Sequence, residues 1–130
     1  MNAENITLTL LEGEYTVLRM PEYAFLGGIE GELVSATKAK GELSLVCPAQ
    51  SAPAGHLERA DGWKVFRIEG RLNFCETGII AGISGALSEG RVPVFVVSTF
   101  LTDYLLVRED DVFRAVDVLS RRGYPVAITL

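Results

Sequence analysis

The pattern of apolar and polar residues is clearest between residues 94 and 107. Residues 94–97 and 104–107 are short apolar runs, rich in β-branched side chains, and predict two buried strands. The chain must turn between them, where the polar residues are Ser98, Thr99, Thr102 and Asp103. Such a hairpin would hold hydroxyls and a carboxylate at the end of two rigid strands. Because rigid scaffolds that present polar loop residues commonly grip small molecules, this pattern favours a small-molecule-binding module.

Two stretches repeat apolar residues at the helical period. The first helix is predicted over residues 77–90, with Thr77 as the N-cap and Gly90 at C′. The second begins at Asp110 or Asp111, ends at Arg122 and is stopped by Gly123. The apolar stripes are Ile79, Ile80, Ile83 and Leu87 in the first helix, and Val112, Phe113, Val116 and Leu119 in the second.

Strands at residues 63–69 and 125–130 complete the order strand, helix, strand, strand, helix, strand. This order predicts an α+β, ferredoxin-like (βαββαβ) unit, with two helices on one face of a four-stranded antiparallel sheet. Further strands are predicted at residues 6–11, 15–20, 33–37 and 42–47. Residues 21–31 are expected to be a loop, and residues 48–62 a linker or covering loop.

A faint internal repeat suggests that the chain contains two related units. Residues 34–46 resemble residues 97–107, and the same offset separates Glu42 from Asp103 and Val46 from Val107. Each copy has an acidic residue directly before an apolar strand. We therefore expect an N-terminal unit at 1–62, with its helices shrunken or lost, and a C-terminal unit at 63–130.

Composition narrows the function classes. Hydrophobic residues make up 48% of the 130 residues, which excludes a disordered chain. The net charge of −5, with no basic run longer than Arg121–Arg122, argues against nucleic-acid binding. The sequence has no apolar stretch of roughly 18 to 20 residues for a membrane span, and residues 1–5 do not form a secretory signal. With two cysteines, the expected location is cytoplasmic and the expected thiols are reduced.

Four motifs in order resemble the ACT-domain family. They are Glu42 to Pro48, Gly62-Trp63-Lys64, Thr77-Gly78-Ile79, and Ser98 to Val107. More closely, the chain is similar to short tandem-ACT bacterial proteins related to the cytosolic arginine sensors called CASTOR, from about Leu8 to Val126. The resemblance implies two tandem ACT-like units, the first degenerate. It also implies a regulatory role, in which a small effector, most often an amino acid, binds at an interface between units.

The resemblance also implies a set of contacts for such a ligand. The residues that match those around arginine in the CASTOR proteins are Glu76, Thr99, Phe100 and Asp103. Because the chain is shorter than the four-domain sensors, a matching pocket would need a homodimer or the internal repeat. Arginine itself does not follow from this match, whereas an amino acid does.

An amino-acid ligand requires both donors and acceptors. Free N–H groups where the first helix opens, at Thr77, Gly78 and Ile79, would bind the α-carboxylate. Glu76 and Asp103 would accept from an ammonium or guanidinium group, and Phe100 would form an apolar wall. The predicted ligand-binding residues are Glu76, Thr77, Gly78, Ile79, Ser98, Thr99, Phe100 and Asp103.

Other interpretations remain open. Taken singly, these residues can end a turn, complement a helix dipole or fill a core, and the protein can be a ligand-free interaction module. An enzyme would use Cys75, at the start of a helix, with His56; Cys47 is the second cysteine. Two Cys and one His at scattered positions do not form a zinc signature, and Walker and Rossmann glycine patterns are missing from the sequence. We therefore expect no catalytic residue, metal or cofactor.

Overall fold

The computed structural model describes residues 6–69 and 78–128. These residues pack into two compact units. The larger unit comprises residues 6–12, 64–69 and 78–128, and the smaller unit comprises residues 13–63. The first predicted strand therefore packs with the second half of the chain, although it had been grouped with residues 1–62. The interpretation of residues 1–62 as a degenerate ACT-like unit stays a prediction.

Within the described residues, eight strands and two α-helices follow one another. Their bounds are β1 Thr7–Leu10, β2 Tyr15–Met20, β3 Ser35–Ala39, β4 Glu42–Pro48, β5 Glu58–Glu69, α1 Ile79–Glu89, β6 Phe95–Ser98, β7 Asp103–Arg108, α2 Val112–Arg121 and β8 Val126–Ile128. From β5 onward the order strand, helix, strand, strand, helix, strand is the predicted one. The alternation and helical period of the apolar residues were therefore sufficient to find each of these elements.

The sheet of the larger unit contains one strand more than predicted. Strand β1 lies between β5 and β8, antiparallel to β5 and parallel to β8. Leu8 is opposite Ile68 on one side and Val126 on the other. Strand β7 pairs with β5 and with β6. The expected four strands thus become five, and β1 and β8 are parallel, because pairing between residues this far apart leaves no signal in local periodicity.

Both helices bury one stripe in the core of the larger unit. Ile79, Ile83, Ala86 and Leu87 of α1 are buried, as are Ala115 and Leu119 of α2. They pack in one cluster with the sheet residues Leu8, Phe66, Ile68, Leu105 and Val107. Phe113 was predicted to belong to the α2 stripe but is 90% exposed. One helical residue turns about 100°, so Phe113 lies off the stripe that Val112, Ala115, Val116 and Leu119 form.

The two helices end in the same hydrogen-bonding motif. After α1, Val92 N–H donates to Leu87 O at 2.9 Å and Arg91 N–H to Ser88 O at 3.0 Å. This is the Schellman arrangement, in which the C′ residue is left-handed. Gly90 was predicted at C′, but Gly90 is the C-cap (φ −81°) and Arg91 takes C′ with φ +59°. After α2, Gly123 fills C′ with φ +85°, as predicted.

The smaller unit is a sheet covered by loops. Strand β4 pairs with β2 and β3, and β2 also pairs with the beginning of β5, where Arg59 lies opposite Leu18. Residues 58–62 had been predicted as the end of a linker, and this was wrong. Their charged sequence gives no apolar alternation, yet their main chain pairs with β2 and Arg19 forms an ion pair with Glu58. The buried core is Leu18, Met20, Leu43, Leu45 and Cys47, against which Ala24, Leu26, Ile29 and Ala52 pack.

Candidate functional site

The hairpin of β6 and β7 carries four of the predicted ligand-binding residues. Ser98, the last residue of β6, is opposite Asp103, the first residue of β7. Within the turn, Thr99 N–H donates to Thr102 O at 2.8 Å. The Thr99 hydroxyl donates to the same oxygen at 3.0 Å and accepts from Thr102 N–H at 3.3 Å. The Thr99 hydroxyl therefore closes the turn and fixes the geometry of the residues on either side.

Thr102 attaches this turn to the neighbouring strand. Its hydroxyl donates to the main-chain oxygen of Ile68, near the end of β5, at 2.6 Å. The side chain is half-buried. Thr102 was noted in the sequence only as a polar turn residue, because a bond between residues 34 positions apart has no local signature. This bond holds the turn beside the end of β5.

Phe100 and Asp103 present opposite chemistries at this turn. Phe100 and its neighbour Leu101 are each 81% exposed. Asp103 is half-buried, and among the described residues no hydrogen bond or ion pair is recorded for its carboxylate. Ser98 is exposed. The hairpin thus offers a carboxylate acceptor, a hydroxyl and an exposed aromatic ring within a few residues of one another.

The start of α1 holds two more of the predicted residues. Gly78 is the N-cap in a left-handed conformation (φ +92°) that side-chain-bearing residues rarely adopt. The first helical bond runs from Gly82 N–H to Gly78 O at 2.8 Å, which leaves the amides before Gly82 without a partner inside the helix. The Ile79 side chain is buried in the core, so only its main-chain N–H is suited to bind a ligand. Glu76 and Thr77 lie outside the described residues.

Cys47, one of the two cysteines in the enzyme interpretation, is poorly suited to nucleophilic chemistry. Cys47 is buried, and this burial raises the pKa of its thiol, an effect that Arg59 opposes only in part. A thiol with a raised pKa stays protonated near neutral pH and is a weak nucleophile. Nδ1 of His56 lies 3.0 Å from Pro53 O, within its own loop. Cys75 lies outside the described residues.

The Glu69 carboxylate, at the end of β5, is engaged by several hydrogen bonds. Glu69, the last residue of β5, accepts hydrogen bonds from Arg67 at 2.6 and 3.0 Å and from the Thr9 hydroxyl at 2.9 Å. The Arg67 contacts are the main reason that the pKa of the Glu69 carboxyl is lowered. Glu69 therefore stays ionised and hydrogen-bonded at neutral pH.

The described residues contain neither a metal-binding cluster nor a membrane-spanning helix. Within residues 6–69 and 78–128, no group of three or more His, Cys, Asp or Glu side chains is placed to hold a metal ion. The helices of that same part are all too short or too polar to cross a bilayer.

Comparison with known proteins gives the family. Residues 58–121 match the family model described as the ACT domain. The chain is 31% identical over 127 residues to the rat protein named cytosolic arginine sensor for mTORC1 subunit 1, covering 90% of this chain and 38% of that sensor. Most of this chain is matched, but the chain spans little more than a third of the length of that relative.

Two solved structures share the fold. Protein Atu0741 of Agrobacterium tumefaciens superimposes with a TM-score of 0.86 at 33% identity, over 97% of this chain and 95% of that one. The aspartate kinase of Clostridium acetobutylicum superimposes with a TM-score of 0.64 at 15% identity, over 90% of this chain and 33% of the kinase. The predicted α+β, ferredoxin-like fold is confirmed, and the chain belongs to the ACT-domain family.

Proposed function

We propose that this protein is a non-catalytic regulatory protein that binds an amino acid at an interface between ACT units, in a homodimer. The name of one relative, an arginine sensor, supports the ligand class. A ligand that binds one arrangement of units better than another shifts the population toward that arrangement. The cytoplasmic location and the partner that reads the signal stay predictions.

The observation that carries the proposal is the state of Asp103. Asp103 is a half-buried carboxylate with no recorded partner among the described residues, so its oxygens are available as acceptors. A ligand ammonium or guanidinium would donate to them, and charge-assisted hydrogen bonds contribute about 1.5–3 kcal/mol. Phe100, at 81% exposure, provides a ring on which an aliphatic stem or a guanidinium can pack.

The ligand carboxylate is assigned to the start of α1. The amides of Ile79, Ile80 and Ala81 are donors without helical partners, and the helix dipole favours negative charge there. Gly78 leaves the approach to these amides free of a Cβ atom. Glu76 and Thr77 complete the proposed set as an acceptor and a hydroxyl, on sequence grounds alone. Ser98 and Thr99 belong to the same proposal, with Thr99 acting through the turn that it closes.

The test is calorimetry with the twenty standard amino acids on the full chain, after a thermal-shift screen. We expect at least one to bind, and Asp103→Ala to weaken that binding at least tenfold, about 1.4 kcal/mol. Asp110→Ala is the matched control, because Asp110 is an exposed aspartate near the same strand with no recorded partner among the described residues. Asp103→Asn keeps the side-chain shape and should lose affinity as Asp103→Ala does.

A ligand-free interaction module is the second candidate function. The exposed pair Phe100 and Leu101 favours it, since adjacent large apolar residues at a turn suit a protein contact. If none of the twenty amino acids binds, the result would support the interaction module and reject the sensor. Equal affinity of Asp103→Ala and the parent chain would remove Asp103 from the site. Light scattering tests the homodimer, which requires a mass twice that of the chain.

A further inference from the structure

A groove lies at the end of α1 opposite to Gly78. Its volume is about 380 Å³, and it runs along the last turns of the helix and the segment that leads into β6. The lining residues are Ser84, Ser88, Arg91, Val92, Pro93 and Val94. None of them belongs to the hairpin turn or to the start of α1. The groove is therefore separate from the amino-acid site proposed above.

Arg91 occupies a position of this groove where its backbone is strained. Its φ of +59° is left-handed, a conformation that strains a residue with a Cβ. Glycine serves this position after α2, at Gly123. Strained non-glycine residues concentrate at functional sites, where the side chain is needed in spite of the strain.

The Arg91 guanidinium is also a cation without a recorded partner. Among the described residues, no hydrogen bond or ion pair is recorded for it. The charged neighbours are already engaged. Arg114 donates to Gly90 O and Arg91 O at 3.0 Å each and to Asp111 at 2.8 Å, and Arg122 pairs with Glu89. The carbonyls at the end of α1 are thus partly neutralised, while Arg91 keeps its charge.

The other lining residues define the rest of the chemistry. Ser84 and Ser88 are four residues apart, on one face of α1, and each brings a hydroxyl donor to the groove. Val92, Pro93 and Val94 form an apolar wall. A guanidinium binds carboxylate or phosphate oxygens in a bidentate manner.

We propose that this groove is a second binding site, for a small organic acid whose oxyanion pairs with Arg91 and the serine hydroxyls. The hydrocarbon part of the acid lies against Pro93 and Val94. The organic acid would contact both the Arg91 guanidinium and the apolar wall of the groove. Inorganic phosphate would contact only the guanidinium and the hydroxyls.

The test is amide NMR titration of the full-length chain with three probes: 3-methylbutanoate, acetate and inorganic phosphate. We expect 3-methylbutanoate to shift the amides of residues 84–94 in a saturable way, with a dissociation constant on the order of 1 mM. Acetate and phosphate should bind at least tenfold more weakly, because neither covers the apolar wall. Arg91→Gln should weaken the branched acid at least tenfold, and Arg121→Gln, on the exposed surface of α2, should leave it unchanged.

Several results would overturn the proposal. They are the lack of saturable shifts in residues 84–94, equal affinity in Arg91→Gln, or phosphate binding as tightly as the branched acid. Asp103→Ala should not alter binding of 3-methylbutanoate in this groove. The two proposals can therefore fail independently. The amino-acid site is tested by Asp103→Ala, and the groove by Arg91→Gln and the amides of residues 84–94.

Discussion

Arg91 and Gly123 hold the same C′ position at the ends of α1 and α2, and both are left-handed. The conformation is strained at Arg91, which has a Cβ, and unstrained at Gly123. The glycine of the first helix, Gly90, stands one position earlier. A Cβ atom added there would lie 2.6 Å from Cγ1 of Val118 on α2. Close helix packing thus fixes Gly90 as the C-cap, and the left-handed conformation falls on an arginine.

We expect Arg91→Gly to stabilise the protein by about 0.5–1 kcal/mol, because relief of the left-handed strain outweighs the extra freedom that glycine gives the unfolded chain. Urea unfolding measures the change. Gly123→Ala is the matched control and should destabilise by about 1 kcal/mol, since it places a Cβ in the same conformation. A loss of stability in Arg91→Gly would mean that the Arg91 side chain makes a structural contact.

For individual residues, the sequence predicted the position in a helix or strand better than the tertiary contacts that each residue makes. Asp103 was expected directly before a strand and is the first residue of β7. Ile79 was expected both in a helical stripe and in the site, and its side chain is in the core. The bond from Thr102 to Ile68 and the shift of C′ from Gly90 to Arg91 depend on tertiary contacts. Neither follows from spacing, and whether the predicted residues form one site stays untested.

Among the secondary-structure elements, the β6–β7 hairpin is joined to β5 both by strand pairing and by one side-chain hydrogen bond. Strands β6 and β7 pair from Phe95 opposite Leu106 to Ser98 opposite Asp103. Their turn is attached to β5 through the Thr102 hydroxyl. Apolar runs predicted both strands, whereas the charged beginning of β5 was missed. A strand held by main-chain bonds to a neighbour needs no alternating pattern of its own.

We expect Thr102→Val to destabilise the protein by about 1 kcal/mol, because the variant keeps the shape of the side chain and leaves Ile68 O without its donor. If the turn positions Asp103 for a ligand, amino-acid affinity should fall as well. Thermal denaturation and calorimetry measure the two effects. The control is Thr37→Val, at an exposed position of β3 in the smaller unit. Equal behaviour of the two variants would show that the Ile68 bond contributes nothing.

For the whole molecule, the order of the strands along the chain does not predict the unit in which each strand packs. Strand β1 comes before the smaller unit in the chain, yet it packs into the larger one. Leu8 is fully buried in the core cluster that contains both helices. The strand itself was predicted from alternation. Its place between β5 and β8 was not predictable, because register across such separations is set by the complete core.

We expect Leu8→Ala to destabilise the larger unit by about 2–5 kcal/mol, the usual cost of a buried Leu→Ala cavity. Hydrogen exchange should show lost protection in β5 from residue 64 onward and in β8. Leu101→Ala, at an 81% exposed position, should change stability by less than about 0.5 kcal/mol. Similar effects of the two variants would contradict the assignment of β1 to this core.

The place of β1 has a consequence for biosynthesis. Its parallel neighbour β8 lies at nearly the other extreme of the described chain, with Leu8 beside Val126. Because β1 is translated well before β8, the edge of β1 that faces β8 stays open until residues 126–128 have been made. Such long-range closure slows folding and leaves a nascent edge open to mispairing. The larger unit should therefore complete its sheet only after β8 has left the ribosome.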